Sequence, residues 1–469
     1  MTHRRTWAWV PMFALVLSAC ANQAPAATPG DTDVASQPPA SAPESEAPEG
    51  EGTFLERAEA GEFAGETVQI LAQWVEAEGD NFEGNLTDFA ERTGIDVNYE
   101  GITDYETVLN VRVEGGDAPD IAQLAQPGAM RSYQADDRLV NLSEFMDVDQ
   151  LRADYIESFI DLASVDGDLY GLYYKADLKS IVWYPNQAFE DAGYEIPETW
   201  DELMALTDEI KADGSTPWCV AQEHGDATGW VTTDWIEDVL LRTAPLETYD
   251  AWVAHEIPFD DPAVLNAAEI VGDVFFAEGN VYGGSTAINA TFVGDAQNPM
   301  FAEGGPDCWL HKQAAWIPSF WPADESTDPP TPLFTPGEDS SFFYLPPIDG
   351  AYGRPVLGGG DMFVMFNDRP EVRAVMEFLA TPEAAQHWIE VGGFVSPNNE
   401  VPQEWYSAYP SSGLAEILAN ADALRFDASD TMPADVGSGS FWSGVIDWIS
   451  AEGSNTDEVF AEIEASWSD

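Results

Sequence analysis

The chain holds four lysines in 469 residues, and two of them, Lys175 and Lys179, stand four apart in Tyr173-Tyr174-Lys175-Ala176-Asp177-Leu178-Lys179. In a sequence that otherwise avoids lysine, this spacing reads as a placed pair of hydrogen-bond donors, with ordinary surface lysines as the alternative. Aromatic usage is the second chemical signal. Of 17 tryptophans, four follow turn-forming or polar neighbours: Trp74 in Gln73-Trp74, Trp230 after Gly229 and ahead of Asp234, Trp321 after Pro318-Ser319-Phe320, and Trp442 after Gly439-Ser440-Phe441. An indole face covers the C–H face of a pyranose, and a nearby carboxylate accepts from two neighbouring hydroxyls; together they grip an uncharged polyol. Core packing explains any single tryptophan, but it is a weaker account of four in such settings.

Motifs for bond-making chemistry are missing. There is no GxSxG elbow, no Walker A loop and no GxGxxG opening a helix after a strand. Gly358-Gly359-Gly360 lacks the lysine and the Ser or Thr of a phosphate loop. Acid pairs such as Asp136-Asp137 and Asp260-Asp261 are expected by chance among 85 acids, so no catalytic residue is assigned and no enzyme is expected. Neither Cys219 nor Cys308 has a second cysteine or a histidine at ligand spacing, which argues against a metal site, and no cofactor is expected. Outside the cytoplasm the two most simply pair. Closing a loop of roughly 90 residues stabilises by about 4–5 kcal/mol in the chain-entropy picture.

The 85 acids face only 17 Lys plus Arg, a formal charge of −68. A field of that sign repels nucleic acid and anionic lipid headgroups. The acids are spread rather than blocked, which indicates a solvated, self-repelling surface and suggests adaptation to a saline habitat. The N-terminus is different in kind. His3-Arg4-Arg5, an apolar run over residues 7–17 and Leu17-Ser18-Ala19-Cys20 form a lipoprotein signal, with residues 1–19 removed and Cys20 lipidated. Residues 20–53 are an acidic Pro/Ala/Ser linker with too little apolar surface to fold. The expectation is a soluble body on the outside of the cell membrane, tied to it only by lipid.

The elements that must position these residues read as α/β. Residues 67–74 form an apolar strand, 81–92 an amphipathic helix, 94–99 a glycine-capped return to a second strand, and 120–124 a third strand. A βαβ start implies parallel strands with ligand groups at their C-terminal ends. Strand 181–184 precedes a helix opened at Pro197-Glu198-Thr199-Trp200-Asp201-Glu202, with Thr199 as N-cap and Glu202 at the reciprocal position. Helix 262–277, a buried stretch 313–317, a glycine-containing strand 354–365 and helix 370–379 follow. The length is too great for one ordinary core and suits two lobes, each a doubly wound sheet flanked by helices.

Several blocks resemble a known family. They are Ala118-Pro119-Asp120-Ile121, Asp168-Leu169-Tyr170-Gly171-Leu172, Val182-Trp183-Tyr184-Pro185-Asn186, Phe189 to Tyr194, Thr228-Gly229-Trp230 with Asp234 to Asp238, Cys308 to Phe320, Pro355 to Gly360, and Arg425-Phe426-Asp427 through Trp442. In this order the chain resembles the family 1 extracellular solute-binding proteins of carbohydrate ABC importers, closest to the alpha-glucoside-binding branch. The resemblance implies a two-lobed periplasmic-binding-protein-like fold with lobe 1 at 54–175 and 345–412, and lobe 2 at 180–343 and 414–469. Crossovers fall near 173–179, 343–347 and 410–414. It implies a monomer that takes an α-linked di- or oligosaccharide in the cleft and delivers it to permease subunits. Gln73, Trp74, Asp177, Lys179, Trp230, Asp234, Trp321, Gly359, Gly360, Asp361 and Trp442 are the implied ligand-binding residues, with the rings of Trp230, Trp321 and Trp442 stacking on sugar. The alternatives are another solute (a different polyol, glycerol phosphate or a polyamine) or a glycoside hydrolase.

Overall fold

The computed structural model describes residues 52–324, 326–327 and 331–467. The signal segment, Cys20 and the linker through residue 51 lie outside the described residues. The strands that position the site are β1 (Thr67–Ala72), β2 (Asp96–Gly101), β3 (Ile121–Leu124), β4 (Gly171–Leu178), β5 (Ile181–Pro185), β6 (Thr216–Trp218), β7 (Cys308–Lys312), β8 (Ser340–Tyr344), β9 (Pro355–Met365) and β10 (Ala423–Phe426).

The first βαβ unit forms as its sequence pattern predicts. β1 buries Val68 and Ile70 to Ala72, and helix Glu76–Thr93 ends at Gly94, whose left-handed φ of 71° and N–H bond to Ala90 O close the helix. The helix begins five residues earlier than its apolar spacing predicts, with Glu76 and Glu78 complementing the dipole of the first turn. β1 pairs in parallel with both β2 and β3. β9 then enters the sheet antiparallel to β3 and β4 but parallel to β10, giving the order β10-β9-β3-β1-β2 with β4 also on β9. All eleven residues of β9 are buried.

A smaller sheet, β8-β5-β7-β6, carries the second lobe, and only β6 and β7 run parallel in it. Thr199 and Glu202 form the reciprocal cap of helix Trp200–Ala212. Two large apolar cores result. One surrounds Ile70, Phe82, Phe89, Tyr174, Phe363 and Trp388; the other surrounds Trp218, Trp235, Trp252, Val271, Phe441 and Trp448. A third, smaller cluster holds the Cys219–Cys308 disulfide with Trp183 and Trp321. β4 leads through Lys179 and Ser180 into β5, and β8 leads back to β9, so two passages join the sheets. The sequence places a third passage at 410–414 and β10 in lobe 2. Instead β10 lies on the large sheet, Phe426 belongs to the first core and Ala428 to the second, so the chain passes between cores at Asp427. Parallel pairing with the long β9 holds β10 there. Among the described residues no helix is long and apolar enough to cross a membrane.

Candidate ligand-binding cleft

A cavity of about 110 Å³ lies where the two lobes face each other. The first lobe contributes Gln73, Trp74 and Glu78 beyond the C-terminal end of β1, Gln126 beyond β3, and Glu106 from helix Tyr105–Gly115. Lys175 and Asp177 on β4, Lys179 just after it, and Gly360 and Asp361 on β9 form its floor. The second lobe supplies His224, Trp230, Phe292, Trp316, Phe320 and Trp442, with Asp430 near the passage between lobes.

The glycine run in β9 explains how two lysines reach this floor. A Cβ on Gly359 would lie 2.9 Å from Lys179 Cε, and one on Gly360 would lie 2.5 Å from Lys175 O. Each lysine then sits among three carboxylates. Lys175 Nζ donates to Glu78 at 3.1 Å and lies 3.4 Å from Asp177 and 3.9 Å from Asp361. Lys179 Nζ donates to Asp427 at 2.6 Å and Asp234 at 2.9 Å, with Asp430 at 3.9 Å. Burial alone would drive both amines toward neutrality, but the carboxylates around them outweigh it and hold them charged.

The acids respond to the same competition. Burial pushes the Asp361 carboxyl up, Lys175 pulls it down and Asp177 and Glu78 push it up again, leaving it at about 7. Burial raises Asp430, and the charge of Asp427 raises it further. Burial likewise raises Asp234, against the pull of Lys179. At Asp427 the order reverses: burial is outweighed by Lys179 and by hydrogen bonds from Lys179 and the Asp430 N–H, and the carboxyl stays well below the usual range. Asp361 also accepts from Gln123 Nε2 at 2.6 Å and Gln73 Nε2 at 3.2 Å, which fixes the amide of Gln73 at the cavity.

Opposite this polar floor stands an aromatic wall. Trp230 and Trp316 have ring centroids 5.8 Å apart, Trp316 and Phe320 5.6 Å. Trp230 Nε1 donates to His224 Nδ1 at 3.2 Å, and Lys179 Nζ lies 5.5 Å from the Trp230 ring centre. Gly229, at a φ of 122°, lets the start of helix Trp230–Thr243 press against the Trp442 backbone, where a Cβ would come within 2.3 Å of Trp442 O. That helix is buried on all sides and keeps its charges satisfied: Glu237 accepts from the N–H groups of Ala428 and Ser429, and Arg242 pairs with Asp238.

Of the residues expected at the site, Gln73, Trp74, Asp177, Lys179, Trp230, Gly360, Asp361 and Trp442 line the cavity. Three do not. Trp321 is 6% exposed and packs in the disulfide cluster against Trp183 and Phe301; Trp316 and Phe320, just before it, hold the positions at the cavity. Asp234 lies behind Lys179 and orients it. Gly359 makes room for that lysine rather than touching the cavity. Trp74 reaches the cavity only as part of the first core, 1% exposed among Phe82, Tyr174, Phe363 and Trp388, so it offers no open face for a sugar ring. Sequence reasoning missed Glu78, Glu106, His224, Phe292, Trp316, Phe320 and Asp430. Trp316 and Phe320 lay within the Cys308 to Phe320 block, but no spacing rule separates them from Trp321.

Two α/β lobes with a polar and aromatic cavity between them define a cleft-type binding protein. Residues 73–386 match the bacterial extracellular solute-binding protein family, and the chain belongs to that family. It is 42% identical over 400 residues to the osmoprotective compounds-binding protein GgtB of Synechocystis sp., covering 85% of this chain and 92% of that one. It is 39% identical over 415 residues to the alpha-glucosides-binding periplasmic protein AglE of Rhizobium meliloti, covering 86% and 87%. Among solved structures, the solute receptor AcbH superposes with a TM-score of 0.71 at 16% identity, covering 85% of this chain and 97% of that one. Maltose-bound MalE3 of T. maritima superposes at 0.64 with 15% identity, covering 85% and 98%. These neighbours are two-domain sugar-binding proteins, and the chain is a binding protein rather than an enzyme.

Proposed function

We propose that the protein is the substrate-binding component of an ABC sugar importer, that it captures a compact α-glucoside between its lobes, and that it delivers this sugar to permease subunits. The observation that carries the reading is the aromatic wall of Trp230, Trp316 and Phe320 facing a floor of carboxylates and lysines. Rings stack on the wall, hydroxyls bond to Asp361, Gln73 and Lys179, and hinge closure presents the loaded form. The names of the relatives AglE and GgtB support an α-glucoside or a similarly small osmoprotective solute. Size agrees: a water needs roughly 10–15 Å³ of such space, so about 110 Å³ holds on the order of eight waters. That is room for a sugar ring with a short extension. The lysines are already engaged by carboxylates, and this works against an anionic ligand such as glycerol phosphate. In the same reading Cys20 carries the lipid that tethers a monomer outside the cell, and lobes 54–175 with 345–412 and 180–343 with 414–469 move as bodies apart from β10.

Calorimetric titration of residues 54–469 with trehalose, sucrose, maltose and glucose, at low and high salt, tests this. Micromolar or tighter binding of one α-linked disaccharide is expected. Silence from all four at both salts would overturn the sugar assignment. One observation favours a second reading. Among the described residues Glu106 pairs with no cation, and Asp430 has only Lys179 at 3.9 Å, which suits a cationic solute. Spermidine belongs in the same titration for that reason.

A further inference from the structure

The lip of the cleft brings like charges together. On the first lobe, Asp104 stands at the N-cap position of helix Tyr105–Gly115 without a side-chain capping bond, and Glu106 lies in its first turn. On the second lobe, Asp226 lies within the short turn Gly225–Ala227 and Glu223 just before it, where the Glu223 carboxylate accepts from Gly225 N–H at 3.1 Å. The Thr107 hydroxyl stands between the lobes, 3.2 Å from Asp104 Oδ1 and in contact with Asp226 Oδ2. One hydroxyl has one proton to give, so it cannot donate to both carboxylates at once. A Cβ on Gly225 would come within 3.2 Å of Asp104 Oδ1, which shows how closely the two edges approach. None of these four acids forms an ion pair among the described residues, in contrast to the acids of the cavity floor. Glu106, whose carboxyl is raised first by burial and then by Asp226 and Asp104, registers the same crowding.

We propose that ionic strength gates the cleft: Asp104 and Glu106 on one lobe repel Asp226 on the other as the lobes close, and dissolved salt, by screening them, favours the closed, ligand-holding state. The proposal rests on the cleft being the sugar site. An open molecule keeps these groups apart in water, whereas closure sets them within a few ångströms of one another. Screening reaches such distances late, since the Debye length is about 10 Å at 0.1 M and about 3 Å at 1 M. The response therefore continues into molar salt instead of saturating near 0.1 M. A receptor with this lip binds weakly in dilute medium and tightly in brine, which couples solute capture to external salinity.

The test is titration of the wild type and of Asp104→Asn/Asp226→Asn with trehalose, sucrose and maltose from 0.1 to 2 M NaCl, repeated with tetramethylammonium chloride. Neither residue lines the cavity, and either amide oxygen, one at a time, still accepts the Thr107 proton. Wild-type affinity is expected to rise about tenfold over this range, equally in both salts, as relief of like-charge contact predicts. The double variant is expected to bind tightly at 0.1 M, with a much flatter salt dependence. Small-angle scattering without ligand provides an independent readout: the radius of gyration should fall with salt in the wild type and be smaller at low salt in the variant. Salt-independent affinity and dimensions, or the same salt slope in the variant, would overturn the gate while leaving the sugar assignment intact. A response to sodium alone would overturn it in favour of a bound cation. If no sugar binds at any salt, the sugar assignment fails, and scattering alone decides the gate.

Discussion

At single residues, packing and recognition separate cleanly, and two tryptophans show it. Trp230 lines the cavity and is only half-buried, while Trp321 is wedged between Trp183 and Phe301. Trp230→Ala is expected to weaken sugar binding by about 1–3 kcal/mol, as hot-spot aromatics do, with little change in the unfolding midpoint. Trp321→Ala is expected to cost about 3–5 kcal/mol of stability by leaving a cavity. Calorimetry beside thermal melts distinguishes the two, and equal loss of affinity in both variants would contradict the placement. Asp361 carries a pH signature. Its folded value of about 7 lies above the ordinary aspartate value near 4, so the folded state binds this proton more tightly than the unfolded chain. Stability from this group is present below pH about 4 and is lost as pH rises toward 7. Asp361→Asn removes the titration, so its stability relative to wild type should improve steadily between pH 5 and 8 in urea melts. A constant difference across that range would exclude the assignment.

At the scale of elements, the glycine run of β9 and the β4 lysines form one device. Gly360→Ala drives a Cβ into the backbone oxygen of Lys175, which cannot move without breaking the β4–β9 ladder. Gly359→Ala meets only the far end of the Lys179 side chain. The first variant should lose more stability than the second, while the second should lose sugar affinity by displacing Lys179 from Asp234 and Asp427. Denaturation and titration of both variants check that ordering. The same elements show what was legible in the sequence. β1, the βαβ opening, the Thr199 cap and helix Pro370–Leu379 were readable because local periodicity and capping chemistry determine them. The Cys219–Cys308 bridge followed from there being only two cysteines besides Cys20. The antiparallel entry of β9, the place of β10 and the choice of Trp316 over Trp321 were not readable, because long-range pairing and side-chain direction in a short turn decide them. The lysine pair was found through its rarity, but the carboxylates clamping it came from helix Ala428–Thr431 and its cap, from helices Trp230–Thr243 and Glu76–Thr93, and from β4 and β9. No local pattern links those segments.

Over the whole molecule, the charge of −68 sets the terms on which everything else operates. Among the described residues most acids lie on the surface without a cation, while the few bases are concentrated in pairs such as Arg369 with Asp120, Arg425 with Asp250 and Arg242 with Asp238. Self-repulsion of this kind weakens the compact state because the folded chain packs the same charges into a smaller volume. Salt screens that repulsion over about 10 Å at 0.1 M and over shorter distances as it becomes more concentrated. The two cores and the disulfide loop, which spans 89 residues between Cys219 and Cys308, do not depend on screening. The unfolding midpoint should therefore rise with salt from millimolar to molar NaCl, while the loss on reducing the disulfide, about 4–5 kcal/mol from loop closure, should be similar at every salt. Melts with and without reductant across that series separate the two terms. A midpoint that stays flat with salt would show that the surface acids are far enough apart to ignore one another, and would leave the lip of the cleft as the place where their charge matters.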